Sequence, residues 1–489
     1  MTDALVVALL AFPALAAVLL ALPRPPTATD RLNLVLAPIV ATPALVLSAS
    51  ALLDPAAPRH GRWYVIDPAG AVFLAVIATI GLLSAWTSPS SLAGAPPGFV
   101  VGRHARGSYY AAFYLFWAAL LAVAVVDNLA LAWVLIEATT AASALLVAFS
   151  GKPSGLEAGW KYLVLTTLGL AVALLGIIVL YASLGQGHGS LSTLDWPTIH
   201  ALASRLDPAD ALLAAVLVLG GLATKIGWAP VHNWLPDAHS EAPPPISAML
   251  SAALLPTVVL VAWRVTVALQ PATAGSASAL VLAFGLASLA VAVPFLWRAL
   301  PLKRLLAYSS LEHMGILALG IGFATPLATA GVIVHAVGHA LAKSLGFYAT
   351  IPLLRSDPRL ATRPARGLMS TSRPAATALT VALVSLSGLP PSPLFFSELL
   401  ILLGGLAAGE PAVVAVAAAL LALGFLGLAH ALIEGVVTDR PPDPSGPRRR
   451  DRGLRRLTAT TVVLLLALSA ATYLLPGSRI VTGVMGALS

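Results

Sequence analysis

The sequence predicts an all-α, polytopic membrane protein with about fourteen transmembrane helices. Hydrophobic residues make up 58% of its 489 residues and charged residues only 10%, whereas a soluble domain carries about 25% charged residues. The apolar residues also form runs about 20 residues long, the length that an α-helix needs to cross the hydrocarbon core. These observations exclude a soluble globular protein.

The composition also restricts what this chain can do by itself. It contains no cysteine, so a disulfide, an iron–sulfur cluster or a thiolate metal site cannot be built from it. We expect no cofactor and no metal in this chain, and any linked electron transfer in another subunit. The formal net charge is +8, but the basic residues lie in loops between apolar runs, which the positive-inside rule explains without a nucleic-acid partner.

Fourteen apolar runs can be placed along the chain as helices. They cover residues 3–22, 32–53, 70–87, 109–127, 129–150, 160–184, 210–236, 246–268, 277–298, 305–323, 326–353, 376–408, 411–437 and 456–475. The first run carries Asp3 at its start and is followed by Arg24, the reverse of a secretory signal peptide. We therefore interpret it as a retained first helix.

The charge of the loops predicts the orientation of the chain. Alternate loops, including 354–375 and 438–455, carry 20 of the 28 lysine and arginine residues. The opposite loops carry four, which are Arg59, Arg62, Arg205 and Arg479. Because basic loops stay cytoplasmic and fourteen is an even number, both termini are predicted on the external side. The segment 438–455 is predicted to be a mobile basic loop that meets anionic lipid head groups.

Two of the fourteen runs contain prolines that interrupt a helix, because proline removes a backbone donor. The seventh run is broken at APVHNWLP and the twelfth at SGLPPSPLFF. The two broken helices are five positions apart in the order of helices, and paired interrupted helices are typical of inverted-repeat transporters. The sequence therefore predicts a three-helix segment (1–108), two inverted repeats formed by helices 4–8 (109–268) and 9–13 (277–437), and a final segment (438–489).

Lys225 lies beside the first break, near the end of the apolar run ALLAAVLVLGGLATKIGW. An ionisable side chain at this depth, next to freed backbone, indicates a functional site, although a lysine can also snorkel to the interface. Glu137 is a lone carboxylate in an apolar helix, so it must be paired or protonated. Lys225 is its expected partner and Lys161 the alternative. Such a pair either transfers protons or only fixes helix packing.

A row of titratable side chains lies on the eleventh helix. His335, His339 and Lys343 are spaced i, i+4 and i+8, so they share one face over about 12 Å of helix. We interpret the row as a proton relay that ends at Glu398, after the second break. The alternatives are core histidines or a metal site, for which His-x-x-x-His without a nearby carboxylate is weak evidence. Accessory candidates are His232, Asp237, His239, Glu312 and His313.

Several motifs resemble one family of membrane proteins. They are the runs ATKIGWAPVHNWLPDAHSEAPPPISAML and KRLLAYSSLEHMG, the broken helix SGLPP–FFSELLIL, and the HxxxHxxxK row. They are similar to the antiporter-like subunits of respiratory complex I and its relatives, and the resemblance covers helices 4 to 13. Within that superfamily, SLEHMG and DAHSEAP are most similar to the F subunits of hydrogenase-4, which occur in membrane-bound nickel–iron hydrogenase and formate hydrogenlyase-type complexes.

The resemblance implies fourteen helices, two inverted repeats and proton translocation along a polar axis at mid-membrane. It matches the family's functional positions to Glu137 on helix 5, Lys225 on broken helix 7, His335, His339 and Lys343 on helix 11, and Glu398 on broken helix 12. One position departs from the family, because many relatives carry a helix-8 lysine where this chain has Pro256. Water, His232 or His239 would then have to bridge the gap to His335.

The sequence thus predicts a proton-translocating membrane subunit of a complex I-like or nickel–iron hydrogenase complex. It would have no redox chemistry of its own and would assemble with other membrane subunits and a peripheral redox module in a prokaryotic-type plasma membrane. One alternative is a stand-alone cation/proton antiporter or the membrane half of an ion-coupled uptake system. Another is a structural scaffold in which the charges form buried ion pairs.

Overall fold

The computed structural model describes residues 2–93, 105–185, 190–438 and 452–488. In this part of the chain, thirteen helices are long and apolar enough to cross a membrane. Two shorter apolar helices, Arg373–Leu386 and Pro393–Ala407, together form the predicted twelfth span. Each of the fourteen predicted spans therefore has a counterpart, and the all-α polytopic fold is confirmed.

The first half of the chain contains eleven helices, a hairpin and a π-helical turn among its described residues. The helices are α1 (Thr2–Ala21), α2 (Pro26–Leu53), α3 (Pro68–Leu92), α4 (Ala105–Val125), α5 (Leu129–Val147), α6 (Pro153–Gly185), α7 (Trp196–Ala203), α8 (Pro208–Ile226), α9 (Leu235–Glu241), α10 (Pro244–Met249) and α11 (Leu255–Thr273). Strands β1 (Arg59–His60) and β2 (Val65–Ile66) pair antiparallel between α2 and α3. The π-helical turn Leu250–Leu254 joins α10 to α11, so the eighth span is continuous.

The second half repeats the pattern of long helices with one interrupted span. Its helices are α12 (Ser276–Leu296), α13 (Leu302–Phe323), α14 (Pro326–Ser356), α15 (Leu368–Thr371), α16 (Arg373–Leu386), α17 (Pro393–Ala407), α18 (Pro411–Leu432), α19 (Arg452–Thr472) and α20 (Arg479–Leu488). The short helices α7 and α20 were not among the predicted spans. Both are too short to cross a bilayer, because a spanning helix needs about 20 residues.

The centre of the bundle is formed by three spans. The apolar windows of the α10–α11 span and of α13 are buried along their whole length, and that of α14 is 89% buried. By contrast, α18 and α19 each bury only 28% of their apolar windows, as expected of helices that face lipid. Polar side chains on the three central helices are therefore held away from lipid and must find partners within the protein.

The first break separates α8 from α9, where the chain leaves the helix at Gly227. This residue has φ +79°, a left-handed conformation that glycine adopts readily at helix ends. Side chains satisfy backbone groups that the break exposes. The indole of Trp234 donates to the carbonyl of Thr224 at 2.6 Å, and Ser288 accepts from the backbone N–H of Ala229 at 3.0 Å. The interruption is therefore a stable, internally bonded structure.

The second break separates α16 from α17 and is built in the same way. Gly388 has φ +68°, and Ser392 caps α17 by accepting from the N–H of Leu394 at 3.2 Å while donating to the carbonyl of Ser385 at 3.0 Å. The two predicted interruptions are confirmed. The inverted-repeat relation and the four predicted segment boundaries stay predictions, and 439–451 of the predicted basic loop lie outside the described residues, as does Arg103.

Candidate functional site

Lys225 is fully buried, one residue before α8 ends. Its ammonium donates to the hydroxyl of Thr140 on α5 at 2.7 Å and to the hydroxyl of Tyr162 on α6 at 2.5 Å. The ammonium also lies 4.5 Å from the centre of the Tyr162 ring, an attractive cation–π contact. The Tyr162 hydroxyl is 2.7 Å from Ser143. Hydroxyl groups and an aromatic ring thus hold this lysine, and no carboxylate from the described residues contacts it directly.

Glu137 is half-buried on α5 and accepts a 3.5 Å hydrogen bond from Thr167. The ammonium of Lys225 contacts hydroxyls, and no ion pair joins it to Glu137 in the described residues. Glu137 still attracts the ammonium electrostatically, since it lies one helical turn from Thr140, so the predicted partners interact without direct contact. Lys161, the alternative partner, instead contacts Glu157 at 2.5 Å and Asp237 at 3.5 Å.

Lys343 is bound in a closely similar way on α14. It is fully buried and donates to the backbone carbonyl of Leu306 at 3.0 Å and to the hydroxyl of Ser309. Glu312 lies one turn further along α13 and interacts electrostatically with the lysine. Each buried lysine is thus bound to a hydroxyl, with a glutamate one turn away on the same helix as that hydroxyl.

Glu312, predicted only as an accessory residue, is buried on α13, three residues after Ser309. Its Oε1 lies against Gly424 of α18, where an added Cβ would come within 1.9 Å. Its Oε2 is buried without a hydrogen-bond partner in the described residues. An isolated buried carboxylate is costly unless it is protonated or paired. The absence of a side chain at Gly424 makes room for this carboxylate.

Three histidines meet between α13 and α14. His313 Nδ1 lies 3.0 Å from His335 Nε2, and His335 Nδ1 lies 2.9 Å from the Ser397 hydroxyl. Ser397 donates to the carbonyl of Leu394 at 2.8 Å, so its oxygen accepts from His335. The centre of the His313 ring is 5.0 Å from that of His335 and 5.1 Å from that of His339. His313, predicted as accessory, therefore lies between the two histidines of the predicted row.

His339 and Glu398 complete this region. Both ring nitrogens of His339 are buried without a hydrogen-bond partner in the described part of the chain. Glu398 is half-buried, and its Oε2 would lie 2.7 Å from a Cβ added to Gly388 at the second break. One nitrogen from each of His313 and His335 and one oxygen of Glu398 lie within 4.8 Å of one another. The predicted end of the relay is thus next to the histidine pair.

The accessory residues of the first break divide into two groups. Asp237 lies at the rim, 2.8 Å from Arg304 and 3.5 Å from Lys161, and these partly exposed pairs contribute little stability. His239 is fully buried, with Nδ1 2.8 Å from the carbonyl of Leu235 and Nε2 unpartnered. His232 is half-buried and its Nδ1 also lacks a partner among the described residues.

Sequence reasoning missed the uncharged residues that hold the charged ones, namely Thr140, Tyr162, Ser309, Ser397 and Gly424. One signal was available, because Thr140 follows Glu137 by three residues and Ser309 precedes Glu312 by three, which places each pair on one helix face. Tyr162 and Gly424 come from distant helices, and no local spacing connects them to the site.

Two broken helices that flank a row of buried lysines, histidines and glutamates define an antiporter-like membrane protein. The chain belongs to the NADH:quinone oxidoreductase/Mrp antiporter transmembrane family, whose model matches residues 126–424. It is 32% identical over 408 residues to the hydrogenase-4 component F homolog of Methylacidiphilum infernorum (isolate V4), an alignment that covers 81% of this chain and 82% of the relative. The predicted family resemblance is confirmed.

Two solved structures share the fold along almost the whole chain. A chain of the archaeal membrane-bound sulfane sulfur reductase superposes with a TM-score of 0.85 at 20% identity, covering 99% of this chain and 97% of that one. A chain of the Mrp complex from Dietzia sp. DQ12-45-1b superposes with a TM-score of 0.82 at 21% identity, covering 100% and 97%.

Proposed function

We propose that this chain is a proton-translocating subunit of a multi-subunit membrane redox complex of the complex I or hydrogenase-4 type. The proposal depends mainly on Lys225 and Lys343, which are both fully buried and hydrogen-bonded to hydroxyl groups. Each of these hydroxyl groups has a glutamate one helical turn away on its own helix. Ionisable groups buried in a membrane protein are expensive and mark ion pathways. Two such units, with a histidine cluster next to the second one, lie between the two helix breaks and provide groups that can accept and release protons.

The first unit is the switch. The hydroxyls of Thr140 and Tyr162 stabilise Lys225 as an ammonium, and Glu137 adds an attraction across one turn. A partner subunit that moves charge towards or away from Glu137 changes how strongly Lys225 holds its proton. Because Glu137 is half-buried, it is accessible to such an influence.

The second unit and the histidines form the relay. Lys343 and His339 lie one turn apart on α14, and the His339 ring is 5.1 Å from that of His313. His313 is hydrogen-bonded to His335, and Glu398 stands next to this pair at the second break. Neutral imidazole can donate a proton at one nitrogen and accept one at the other, so this order carries a proton from Lys343 to Glu398. Water would have to bridge the longer steps.

The relatives support the assembly. One relative is named as a component of hydrogenase-4, and a fold neighbour belongs to an archaeal respiratory membrane complex. The chain has no cysteine, so redox centres in such a complex would belong to a partner. We further propose that both termini lie on the external side, with the basic loops in the cytoplasm.

The test is Lys225→Ala in the assembled complex, measured as proton uptake by inverted membrane vesicles during turnover. We expect pumping to fall at least tenfold, while Lys152→Ala, the same exchange on an exposed loop residue, leaves it unchanged. Pumping at the wild-type rate in Lys225→Ala would refute the assignment.

A mild-detergent purification of the chain from its native membrane, followed by mass spectrometry, tests the assembly separately. Recovery with redox subunits supports the proposal. Recovery alone, or with other transporter-like proteins only, would instead support a stand-alone antiporter or a subunit of an uptake system.

A further inference from the structure

The histidine pair and Glu398 have a chemical capacity beyond proton transfer. From sequence, His335 and His339 alone are weak evidence for a metal because no carboxylate is nearby. The structure supplies that carboxylate, because α17 brings Glu398 to the pair and α13 contributes His313. We propose that His313, His335 and Glu398 form a binding site for a divalent transition-metal ion of the zinc class, and that the bound ion blocks the proton relay.

The distances fit a tetrahedral metal site after small movements. Zinc binds histidine nitrogen at about 2.0–2.1 Å, so two nitrogens on a tetrahedral site lie roughly 3.3–3.4 Å apart. His313 Nδ1 and His335 Nε2 are 3.0 Å apart, so an ion can enter between them if the rings separate by a few tenths of an ångström. A Glu398 oxygen is within 4.8 Å of one nitrogen of each ring, so the carboxylate can reach an ion at the histidine pair by rotating its side chain. Two histidines and a glutamate, with a fourth position open, form a known zinc ligand set.

The protonation state of the His313 and His335 imidazoles is also compatible with metal binding. His335 donates its Nδ1 proton to Ser397, which leaves Nε2 with a lone pair facing His313. Ligating histidines commonly donate their second nitrogen in this way, which fixes the ring orientation. His313 has to carry its proton on Nε2 instead of Nδ1, and the backbone carbonyl of Leu386 is close enough to this ring to accept that proton. Within the described residues, the exchange of tautomer therefore breaks only the bond between the two rings.

Glu398, at the second break, is the one ligand of the three that is not fully buried. Glu398 is half-buried against Gly388, and the next residue, Leu389, is 41% exposed. The other two ligands are fully buried. An ion that arrives at the break would contact the carboxylate of Glu398 before the two imidazoles. In the proposed relay, a proton passes the imidazoles first and reaches Glu398 last.

An occupied site would stop that relay. Metal binding uses the lone pairs of both imidazoles and the carboxylate, which are the groups that accept protons in the relay. Binding of the ion does not depend on the proposed function, whereas its inhibitory effect rests on it. The two claims can therefore be measured independently.

Binding is tested with Zn²⁺ alone on the purified full chain in lipid nanodiscs, by titration calorimetry and by metal content after dialysis. We expect one tightly bound ion per chain, lost in His313→Gln, His335→Gln and Glu398→Gln. Ser397→Ala removes the hydrogen-bond partner of a ligand and should weaken binding by about 10–100-fold. The control is His430→Gln, because His430 and Glu434 form an exposed pair 3.9 Å apart that offers a competing surface site. Stoichiometric binding that survives the three ligand variants, or disappears only in His430→Gln, would overturn the site.

Inhibition is tested in vesicles that contain the assembled complex, by adding Zn²⁺ during turnover. We expect proton uptake to stop in the wild type and in His430→Gln, and the half-inhibiting Zn²⁺ concentration to rise by about 10–100-fold in Ser397→Ala. Tight binding without inhibition would remove the histidine pair from the relay and overturn the blocking claim. The Lys225→Ala measurement involves none of the metal ligands, so failure of the metal proposal and failure of the proposed function are distinguishable.

Discussion

Tyr162→Phe isolates one interaction of the buried lysine. The substitution removes the hydroxyl that accepts from Lys225 at 2.5 Å and keeps the ring that lies 4.5 Å from the ammonium. Ser143 loses Tyr162 but still donates to the carbonyl of Thr139 at 2.5 Å, and Lys225 keeps Thr140. No other buried group in the described residues is left without a partner, so the damage is confined to the lysine.

The expected magnitude follows from the charge of the donor. A hydrogen bond to a charged group contributes about 1.5–3 kcal/mol, so its loss raises the free energy of the protonated lysine relative to the neutral one by that amount. This corresponds to about a 10- to 150-fold change in the ratio of the two forms. Even the full loss of about 1.5–3 kcal/mol is below the roughly 5–15 kcal/mol by which native proteins are stable, so the complex should still assemble.

The assay is the initial rate of proton uptake by inverted vesicles, normalised to the turnover of the redox module. If the charge state of Lys225 limits translocation, uptake per turnover should fall by up to the calculated factor. Tyr473→Phe is the matched control, because the Tyr473 side chain is 73% exposed and distant in sequence from this site.

A double-mutant cycle decides whether the effect acts through the lysine. Tyr162→Phe should have no further effect in a Lys225→Ala background, because the partner of the hydroxyl is already absent. Wild-type uptake in Tyr162→Phe, or equal losses in the presence and absence of Lys225, would refute the claim that this hydroxyl supports a functional ammonium.

Two further predictions concern the second glutamate and the orientation. Gly424→Ala adds a methyl group whose carbon would lie 1.9 Å from Glu312 Oε1, so the carboxylate must move. We expect the rate of proton uptake to fall several-fold, towards the rate of the Glu312→Gln variant. Gly220→Ala, whose added Cβ meets nothing within 4 Å, should pump normally, and equal rates in the two alanine variants would argue against a role for Glu312. Because the chain lacks cysteine, Thr2→Cys should react with a membrane-impermeant maleimide on intact cells and Thr362→Cys should not; the reverse pattern would invert the proposed orientation.

The helical architecture was predictable because it depends on one strong signal, the free energy of transferring apolar runs into a membrane. Prolines also marked both breaks, since proline cannot continue a helix. What the sequence could not show was how the breaks are closed. Trp234 donates to the carbonyl of Thr224 across the first break, although the two residues are ten positions apart. Nothing in the sequence between them indicates that the indole of Trp234 folds back to the end of α8.

The sequence was enough to predict which charged residues belong to the candidate site, but not which residues they contact. Charged residues in apolar runs are conspicuous because their burial is costly, and Lys225, Lys343 and the two row histidines are indeed buried. Coulomb attraction suggested that Lys225 should pair with Glu137. Hydroxyl groups took that place, and a buried ammonium can be satisfied by any well-placed acceptor, so charge alone does not identify its partner.

Pro256 shows how one departure from the family pattern is accommodated. In a regular helix its ring would clash with the carbonyl four residues earlier. The π-helical turn Leu250–Leu254 lies just before it, and such local π adjustments let membrane helices tolerate proline because they satisfy the freed backbone groups. Ser251, within the turn, lies 2.7 Å from Ser310 of α13, next to the serine that binds Lys343. A serine pair can pass a proton because each hydroxyl both donates and accepts. Pro256 therefore contributes no titratable group to the centre of the protein, while the Ser251–Ser310 hydrogen bond connects the two predicted repeats close to it.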